Sequence, residues 1–320
     1  MLATKTGLKI SVVVPAYNGE STIKKTLESL MRQTKKFDEL IIVDDASIDN
    51  STQCIKDFFG ANNEYKLISN EKQLGLAATY NRGIRASKGD LIVTLHQDII
   101  LENESLKELV KPFGDDRVAA ASHIVVHPLK IWNKYNFWQK CFFARLAGKD
   151  FSGIDGKFDC FRKSALERVG LFDEVHFQTA GEDGDMVYRL KKIGRVVDTK
   201  AKIIHLHKID PKFSWRDIIR KQKQYSEAQG ALLTRGRIRG IRSLIKSFFR
   251  ELMLLALFVP YLRIFSMFLI ILYSFLYTKI VFVKEYRNKR ILILPFFNIF
   301  LLFVSLIYSL KGFIYGKQRV

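Results

Sequence analysis

The stretch ISVVVPAYNGE, residues 10–20, decides the predicted fold, because a β-branched run stops at a proline and polar residues follow at once. Ile10–Val14 is apolar at nearly every position, which is typical of a strand buried on both faces. A second run, Leu40–Val43, leads into two acids within IIVDDASIDNS, residues 41–51. Apolar residues at helical spacing lie between the two runs. This alternation predicts an α/β fold with a doubly wound, mostly parallel sheet.

The same alternation continues as far as residue 110 and becomes less regular after it. Further strands are predicted at Tyr65–Ile68, Leu91–Leu95, Val118–Val126, Arg195–Val197 and Lys202–Leu206. Further helices are predicted at Glu20–Arg32, 47–59, Leu76–Ser87, Glu104–Pro112, Ile131–Leu146, Gly181–Lys192 and Trp215–Leu233. Acidic turns follow several strands, and such sheets bind ligands outside the carboxyl ends of their strands. The sequence therefore predicts an acidic cleft at that edge.

The charge of the chain is unevenly distributed. The 320 residues carry 52 Lys and Arg against 32 Asp and Glu, a net charge of +20. From Leu232 onward there are 15 bases and two acids, so this tail holds +13 of the excess. A nucleic-acid binder would need a basic groove on the folded domain, whereas this charge surrounds apolar segments. Three cysteines without CxxC spacing argue against a disulfide framework or a zinc site, and favour a reducing compartment.

Two apolar segments near the C-terminus predict attachment to a membrane. Leu252–Val283 is mostly apolar and Ile291–Leu310 has no charged residue, and a span needs about 20 such residues. The first segment is either one long span or an interfacial helix followed by a span broken near Pro260. Buried core helices are the alternative. Basic residues flank every side, so the positive-inside rule gives no orientation.

Four motifs in this order resemble family 2 glycosyltransferases with the GT-A fold. They are SVVVPAYN at 11–18, VDDAS at 43–47, the Asn-x-Gly of 81–83 before ASKGD at 86–90, and GEDGDMVYRLKKIG at 181–194. The resemblance covers about Lys9 to about His207. It implies inverting transfer of a sugar from a nucleotide-diphosphate donor, with a divalent metal, Mn²⁺ or Mg²⁺, on the diphosphate. Carboxylates suit such hard ions, and an acidic cleft needs one to bind a diphosphate.

The resemblance also implies which residues bind the donor. Asp45 matches the acid that accepts a hydrogen bond from the base, and other donor contacts are implied for Pro15, Tyr17, Asn18, Glu20, Asn81 and Arg82. Where the family has Asp-x-Asp, this chain has His96-Gln97-Asp98. Asp98 is then the expected metal ligand, and His96 is left to contact the ribose. A histidine near the metal is expected at His205, with His207 as the alternative.

The acidic pair Glu182-Asp183 matches the family's catalytic pair, in which the aspartate is the general base. The resemblance therefore implies Asp183, with Asp185 as its rival. An acidic first turn that complements the helix dipole is the structural alternative. Residues 220–225, RKQKQY, lack the Gln-x-x-Arg-Trp motif of processive synthases, so we expect transfer of a single sugar.

These observations predict a GT-A domain over residues 1–232, a basic juxtamembrane segment over 233–250 and membrane-anchoring helices over 251–320. The catalytic domain is expected in the cytoplasm, and the acceptor is expected to be a lipid-linked saccharide or a polyprenyl phosphate. A degenerate membrane protein without activity is one alternative, since His96 replaces an acid. A sugar nucleotidyltransferase is another, although only Gly19 lies where that class has a Gly-rich loop. No nucleic-acid partner is expected.

Overall fold

The computed structural model describes residues 7–62, 64–206 and 209–318, and the chain divides into two compact units. The sheet unit comprises Met1–Val126, Asp150–Glu174 and Glu182–Lys208. The helical unit comprises His127–Lys149, Val175–Gly181 and Ile209–Val320. Residues 209–232, which the sequence analysis assigned to the catalytic domain, group with the C-terminal helices. The boundary at residue 232 stays a prediction, because compactness alone does not delimit a family domain.

The strands of the sheet unit form one mixed sheet. They are β1 (Ile10–Ala16), β2 (Glu39–Asp44), β3 (Lys66–Ser69), β4 (Leu91–Thr94), β5 (Ile99–Leu101), β6 (Val118–Val126), β7 (Asp150–Gly153), β8 (Cys160–Arg162) and β9 (Arg195–His205). Their order is β3-β2-β1-β4-β8-β6-β9-β5, and β7 pairs with β6. The first four strands are mutually parallel, as predicted, whereas β8, β7 and β5 join antiparallel.

The helices follow the chain through both units. They are α1 (Ile23–Met31), α2 (Ser51–Phe59), α3 (Leu76–Ala86), α4 (Ser105–Val110), α5 (Leu129–Trp132), α6 (Phe137–Phe142), α7 (Lys163–Val169), α8 (Glu182–Leu190), α9 (Trp215–Thr234), α10 (Ile241–Ala256), α11 (Arg263–Leu276), α12 (Lys279–Lys284) and α13 (Leu294–Tyr315). Short 3₁₀ turns at Lys111–Gly114, Pro260–Leu262 and Lys289–Ile293 adjoin α4, α11 and α13.

β1 is buried on both faces, as its apolar run predicted. Val12 and Val14 pack in the core cluster that includes α1, and Val13 packs in the cluster that includes α3. Gly83 lets α3 approach closely, since a Cβ there would lie 2.3 Å from Cγ1 of Val13. Strand ends are thereby fixed against helices on both sides, and the polar turns that follow them share one edge of the sheet.

Several elements differ from the prediction, and β7, β8 and α7 have no counterpart in it. The aromatic helix expected at Ile131–Leu146 is two short helices, α5 and α6, separated at Asn136, whose side chain caps α6 and donates to carbonyls of residues 210, 211 and 213. The two short strands expected after residue 195 form the single strand β9, which contains register shifts against β6. β5 was not predicted, and it pairs with the end of β9.

The helical unit contains one helical segment, Lys289–Tyr315, that is long and apolar enough to cross a membrane. α10 and the segment Pro260–Leu276 pass that test only as a pair, and they are bent by 105° at their junction. The interruption lies at Pro260, where the sequence analysis placed a break as one of two options. Among the described helices, the segment and the bent pair meet this test by length and composition alone.

Candidate active site

The end of β1 is fastened to the end of β4 by the glutamine between His96 and Asp98. The backbone N–H of Tyr17 donates to Oε1 of Gln97 at 3.0 Å, and Nε2 of Gln97 donates to the Tyr17 carbonyl at 2.8 Å. Pro15 is buried in β1, whereas the Tyr17 ring is 38% exposed. These two hydrogen bonds join the residue before Asp98 to the backbone of Tyr17, whose ring can stack on a planar ligand. Sequence reasoning missed Gln97.

Asn18 and Glu20 hold the turn that follows β2. Asn18 has a left-handed backbone, with φ of 49°, and its Oδ1 accepts from the Ile48 N–H at 2.9 Å. Oε2 of Glu20 accepts from the Asn50 N–H at 3.0 Å. Both side chains therefore join the loops that follow β1 and β2. A direct contact of either residue with the nucleotide-sugar donor stays a prediction.

The two acids after β2 differ in what their oxygens bind. Asp45 is buried, and it accepts from the side-chain amide of Asn70 and from the backbone N–H groups of Leu74 and Gly75, at 2.7–2.9 Å. Its carboxylate thus fixes the turn before α3. Asp44 is also buried, and within the described part of the chain its Oδ1 has no hydrogen-bond partner. Asp44, which sequence reasoning passed over, is the acid with an acceptor to offer.

The Asn-x-Gly motif has one inward and one outward side chain. Asn81 is buried, and its amide bonds to both backbone groups of Phe172 and to Glu174. It therefore holds the 172–174 turn, and the contact with the sugar donor stays a prediction. Arg82 is exposed, and its guanidinium donates to the Ser69 carbonyl at 2.9 Å. It also donates to the side-chain oxygen of Asn70, and the contact of Arg82 with the sugar donor stays a prediction.

The histidine and aspartate after β4 have distinct surroundings. Burial lowers the pKa of His96 to about 4, so its imidazole is neutral at physiological pH. The ring is half-buried, but its Nε2 is enclosed and lacks a hydrogen-bond partner among the described residues. Oδ2 of Asp98 lies 2.9 Å from Nε2 of His205, which the β5–β9 pairing brings alongside. His207 lies outside the described residues.

The acids that begin α8 occupy three different environments. Burial, with the Asp183 charge beside it, raises the pKa of Glu182 to about 8. Burial also raises the pKa of Asp183 to about 6, although its side chain remains half-buried. Asp185 is fully buried and pairs with the Arg189 guanidinium at 2.6–2.7 Å. At neutral pH this arrangement gives a protonated Glu182 beside an ionised, accessible Asp183, whereas Asp185 is held in an ion pair.

A row of alternating acids and bases lies in the same unit, and we call it the charge chain: Asp159 and His123, which are buried, and Asp155 and Lys157, which are half-buried. Nδ1 of His123 lies 3.0 Å from Asp159, and Nε2 lies 3.4 Å from Asp155. The Lys157 ammonium is 2.5 Å from Asp155, and its charge lowers the pKa of both Glu182 and Asp183. The charge chain therefore brings a lysine close to Glu182 and Asp183. Sequence reasoning missed all four residues.

The charge chain and Asp98 offer two places for a divalent cation. His123, Asp155 and Asp159 have ligand atoms within 4.8 Å of one another. Lys157 and backbone N–H groups already neutralise these two carboxylates, however, so a cation would have to displace the lysine. Asp98 with His205 offers an oxygen and a nitrogen ligand, and the enclosed Nε2 of His96 is a further neutral donor. The Asp98 group is the better fit.

Fold and site together define a GT-A glycosyltransferase, an enzyme with strand-end acids at one edge of a mixed sheet. The chain belongs to glycosyl transferase family 2, whose family model matches residues 11–171. Glycosyltransferase GlyG of Streptococcus pneumoniae is 29% identical over 187 residues, which cover 52% of this chain and 59% of GlyG. The poly-beta-1,6-N-acetyl-D-glucosamine synthase of Staphylococcus epidermidis is 28% identical over 176 residues, 51% of this chain and 42% of the synthase.

The chain spans about a third to three fifths of the length of the curated relatives it matches. Among solved structures it is similar to the mannosyltransferase PcManGT from Pyrobaculum calidifontis, which was solved in complex with GDP-Man and Mn²⁺. The TM-score is 0.63 at 16% identity, over 96% of this chain and 88% of that one. This likeness confirms the predicted fold class.

Proposed function

We propose that this enzyme transfers a single sugar from a nucleotide-diphosphate donor to an acceptor at a membrane surface, with inversion and with Asp183 as the general base. One observation carries the proposal: Asp183 is ionised, half-buried and next to a protonated Glu182, with a pKa of about 6. A general base works best when its pKa lies near the working pH. Asp185 is unsuited to the role because Arg189 holds it.

In the proposed step, the acceptor hydroxyl gives its proton to the Asp183 carboxylate as its oxygen bonds to the anomeric carbon. The bond between that carbon and the diphosphate oxygen breaks, and the nucleoside diphosphate leaves with the electron pair. Lys157 offers a fixed positive charge for the leaving group, and Arg82 offers a second. Glu182 stays protonated and leaves Asp183 as the ionised member of the pair.

For the donor, we propose that Asp45 contacts the base, as the resemblance implies, and that Asp44 is a second acceptor, because its Oδ1 has no hydrogen-bond partner among the described residues. Asp45 supports this site by fixing the turn at Leu74 and Gly75. The Tyr17 ring supplies a stacking surface, and the neutral His96 is placed to bond a ribose hydroxyl. These assignments suit a nucleotide donor and do not distinguish a purine from a pyrimidine base.

A divalent cation bound at Asp98, with His205 as a further ligand, would neutralise charge on the leaving diphosphate. PcManGT was solved with Mn²⁺, which supports a cation of that kind without choosing between Mn²⁺ and Mg²⁺. The side chains suit such a cation, because Asp98 offers a carboxylate oxygen and His205 an imidazole nitrogen.

The acceptor is proposed to be a lipid-linked saccharide or a polyprenyl phosphate, with the sheet unit in the cytoplasm. The apolar C-terminal helix supports a membrane location. Transfer of one sugar per acceptor is proposed because residues 220–225 lack the processive motif. One relative bears the name of a polysaccharide synthase, so product length has to be measured: a ladder of products would contradict single-sugar transfer.

The decisive test is Asp183→Asn, with Asp116→Asn on the exposed surface as the isosteric control. We expect transfer to fall by about 10²-fold or more, while nucleotide affinity stays within twofold. In the native enzyme, activity should rise with pH through about 6, as Asp183 loses its proton. Retained turnover in Asp183→Asn, or activity that falls as pH rises through 6, would remove Asp183 from the role.

A further inference from the structure

The exposed apolar side chains of the helical unit lie on α13, on α11 (among them Phe265, Phe268 and Phe275) and at the junction of α10 and α11. α13 buries one face, and its other face exposes Phe296, Phe300, Phe303, Ile307, Leu310 and Ile314. At the junction of α10 and α11, Phe258, Tyr261 and Ile264 are 80%, 98% and 83% exposed. Apolar surface of this extent is unusual on a soluble protein and marks a site of interaction. We call the exposed face of α13 and this junction the apolar surface.

The buried face of α13 is polar at several positions, and α9 lies along it. Ser305 Oγ is 3.0 Å from Ser226 Oγ, and Lys311 Nζ is 3.0 Å from Glu227 Oε1. Farther along, Gly230 and Gly312 allow close approach, because a Cβ on either would lie 1.9 Å from a carbonyl oxygen of the opposite helix. Residue numbers rise in the same order along both helices at these contacts, so α9 and α13 are parallel.

The outward surface of α9 is charged, which constrains where α13 can lie. Arg216 and Arg220 are exposed, and Arg220 pairs with Asp217 at 3.0 Å on the same helix. The 20 residues of α9 extend about 30 Å, the thickness of a bilayer core. If α13 crossed the bilayer, α9 would carry these charges into hydrocarbon, where they are strongly disfavoured. α13 is long enough to span a bilayer, but α9, which packs along it, is too polar to enter the hydrocarbon core.

Charge identifies the lipid that fits the apolar surface. Residues 232–320 hold 15 bases and two acids, Glu251 and Glu285. Both acids are engaged inside the helical unit: Glu285 lies 2.5 Å from Lys140, and Glu251 accepts from the hydroxyls of Ser305 and Ser309. The exposed charge around the apolar surface is thus basic, as anionic headgroups require.

We infer that the helical unit is monotopic: the apolar surface enters one leaflet of an anionic bilayer, and α9 stays on its aqueous side. The inference rests on the membrane location in the proposed function and replaces a spanning α13 with one that lies in the interface. Helices of this kind bury an apolar face at the boundary of headgroups and acyl chains. Both ends of α13 then lie on the same side of the membrane.

Cysteine labelling tests the topology. In a Cys54→Ser background, Lys289→Cys and Lys317→Cys place single thiols before and after α13, while Cys141 and Cys160 are buried. The full chain is bound to sealed vesicles of phosphatidylcholine and phosphatidylglycerol and treated with a membrane-impermeant maleimide. We expect both thiols to react to the same extent without detergent. Reaction of one thiol only after detergent is added would overturn the inference, because it would place the ends of α13 on opposite sides.

Vesicle flotation tests the surface itself. Phe300→Glu combined with Phe303→Glu should weaken binding to the same vesicles by tenfold or more, whereas Tyr225→Glu on the exposed side of α9 should change it by less than twofold. Equal effects of both variants, or no effect of either, would contradict the assigned face. Nucleotide binding measured in detergent keeps this result separate from the proposed function, since it reports on the sheet unit regardless of how the chain meets the bilayer.

Discussion

The sheet unit aligns Asp159, His123, Asp155 and Lys157 as alternating acids and bases, the first two of them buried, whereas the helical unit buries Glu251 against the hydroxyls of Ser305 and Ser309. In the charge chain every carboxylate faces a basic group, so each charge is compensated where it is buried. In the helical unit hydroxyls stabilise the acid by hydrogen bonds. The difference indicates two roles for polar groups. The charge chain ends at Lys157, whose charge acts on Glu182 and Asp183, whereas Glu251 is enclosed within the helical unit.

The largest effect is expected from removing the middle of the charge chain. His123→Phe leaves the buried Asp159 carboxylate without the imidazole beside it, and breaking a buried pair costs about 3–5 kcal/mol. The free energy of unfolding, measured by denaturant titration in detergent, should fall by that amount. His123→Phe combined with Asp159→Leu should recover part of the loss. A loss below about 1 kcal/mol in the single variant would show that the charge chain is not a coupled unit.

The next effect concerns Glu182, which is buried with its proton on. Its pKa is about 8 in the folded chain, above the ordinary value for Glu, so the folded chain holds the proton more tightly than the unfolded chain. This stabilisation is complete below about pH 4.5 and is lost as pH rises towards 8. We expect Glu182→Gln to reduce the fall in unfolding free energy between pH 5 and pH 8 by about 2–3 kcal/mol. Parallel pH profiles for Glu182→Gln and the native chain would contradict this.

The sequence predicted the elements whose signals are local. β1 and its covering helices follow from the run at Ile10–Val14 and from helical spacing, and the order of four motifs pointed to Asp183 and Asp98. The charge chain could not be predicted in this way, because His123 and Asp159 meet across 36 residues without a spacing pattern. Asp44 and Asp45 are adjacent acids, and only tertiary contacts show that Asp45 accepts three hydrogen bonds whereas Oδ1 of Asp44 has no partner among the described residues.

Tertiary contacts also overrode helical spacing at Asn136. Apolar periodicity favoured one helix there, but the Asn136 amide bonds to three carbonyls far along the chain, and the same side chain caps the start of α6. A residue that caps one helix and ties down a distant loop leaves no periodic signal. Polar residues within an aromatic segment are therefore where such a prediction is weakest.

The smallest effect on stability is expected from disturbing the close packing of α9 against α13 in the helical unit. Gly312→Ala places a Cβ 1.9 Å from the Glu227 carbonyl oxygen, so α9 and α13 must separate. Overpacking of this kind costs about 1–2 kcal/mol, and Gly114→Ala, where nothing lies within 4 Å, is the matched control. Thermal unfolding in detergent should show the loss only for Gly312→Ala, together with weaker vesicle binding as the Lys311–Glu227 pair opens. If Gly312→Ala matched its control, α9 would not be fixed along α13, and the charged side of α9 would no longer hold that helix at the interface.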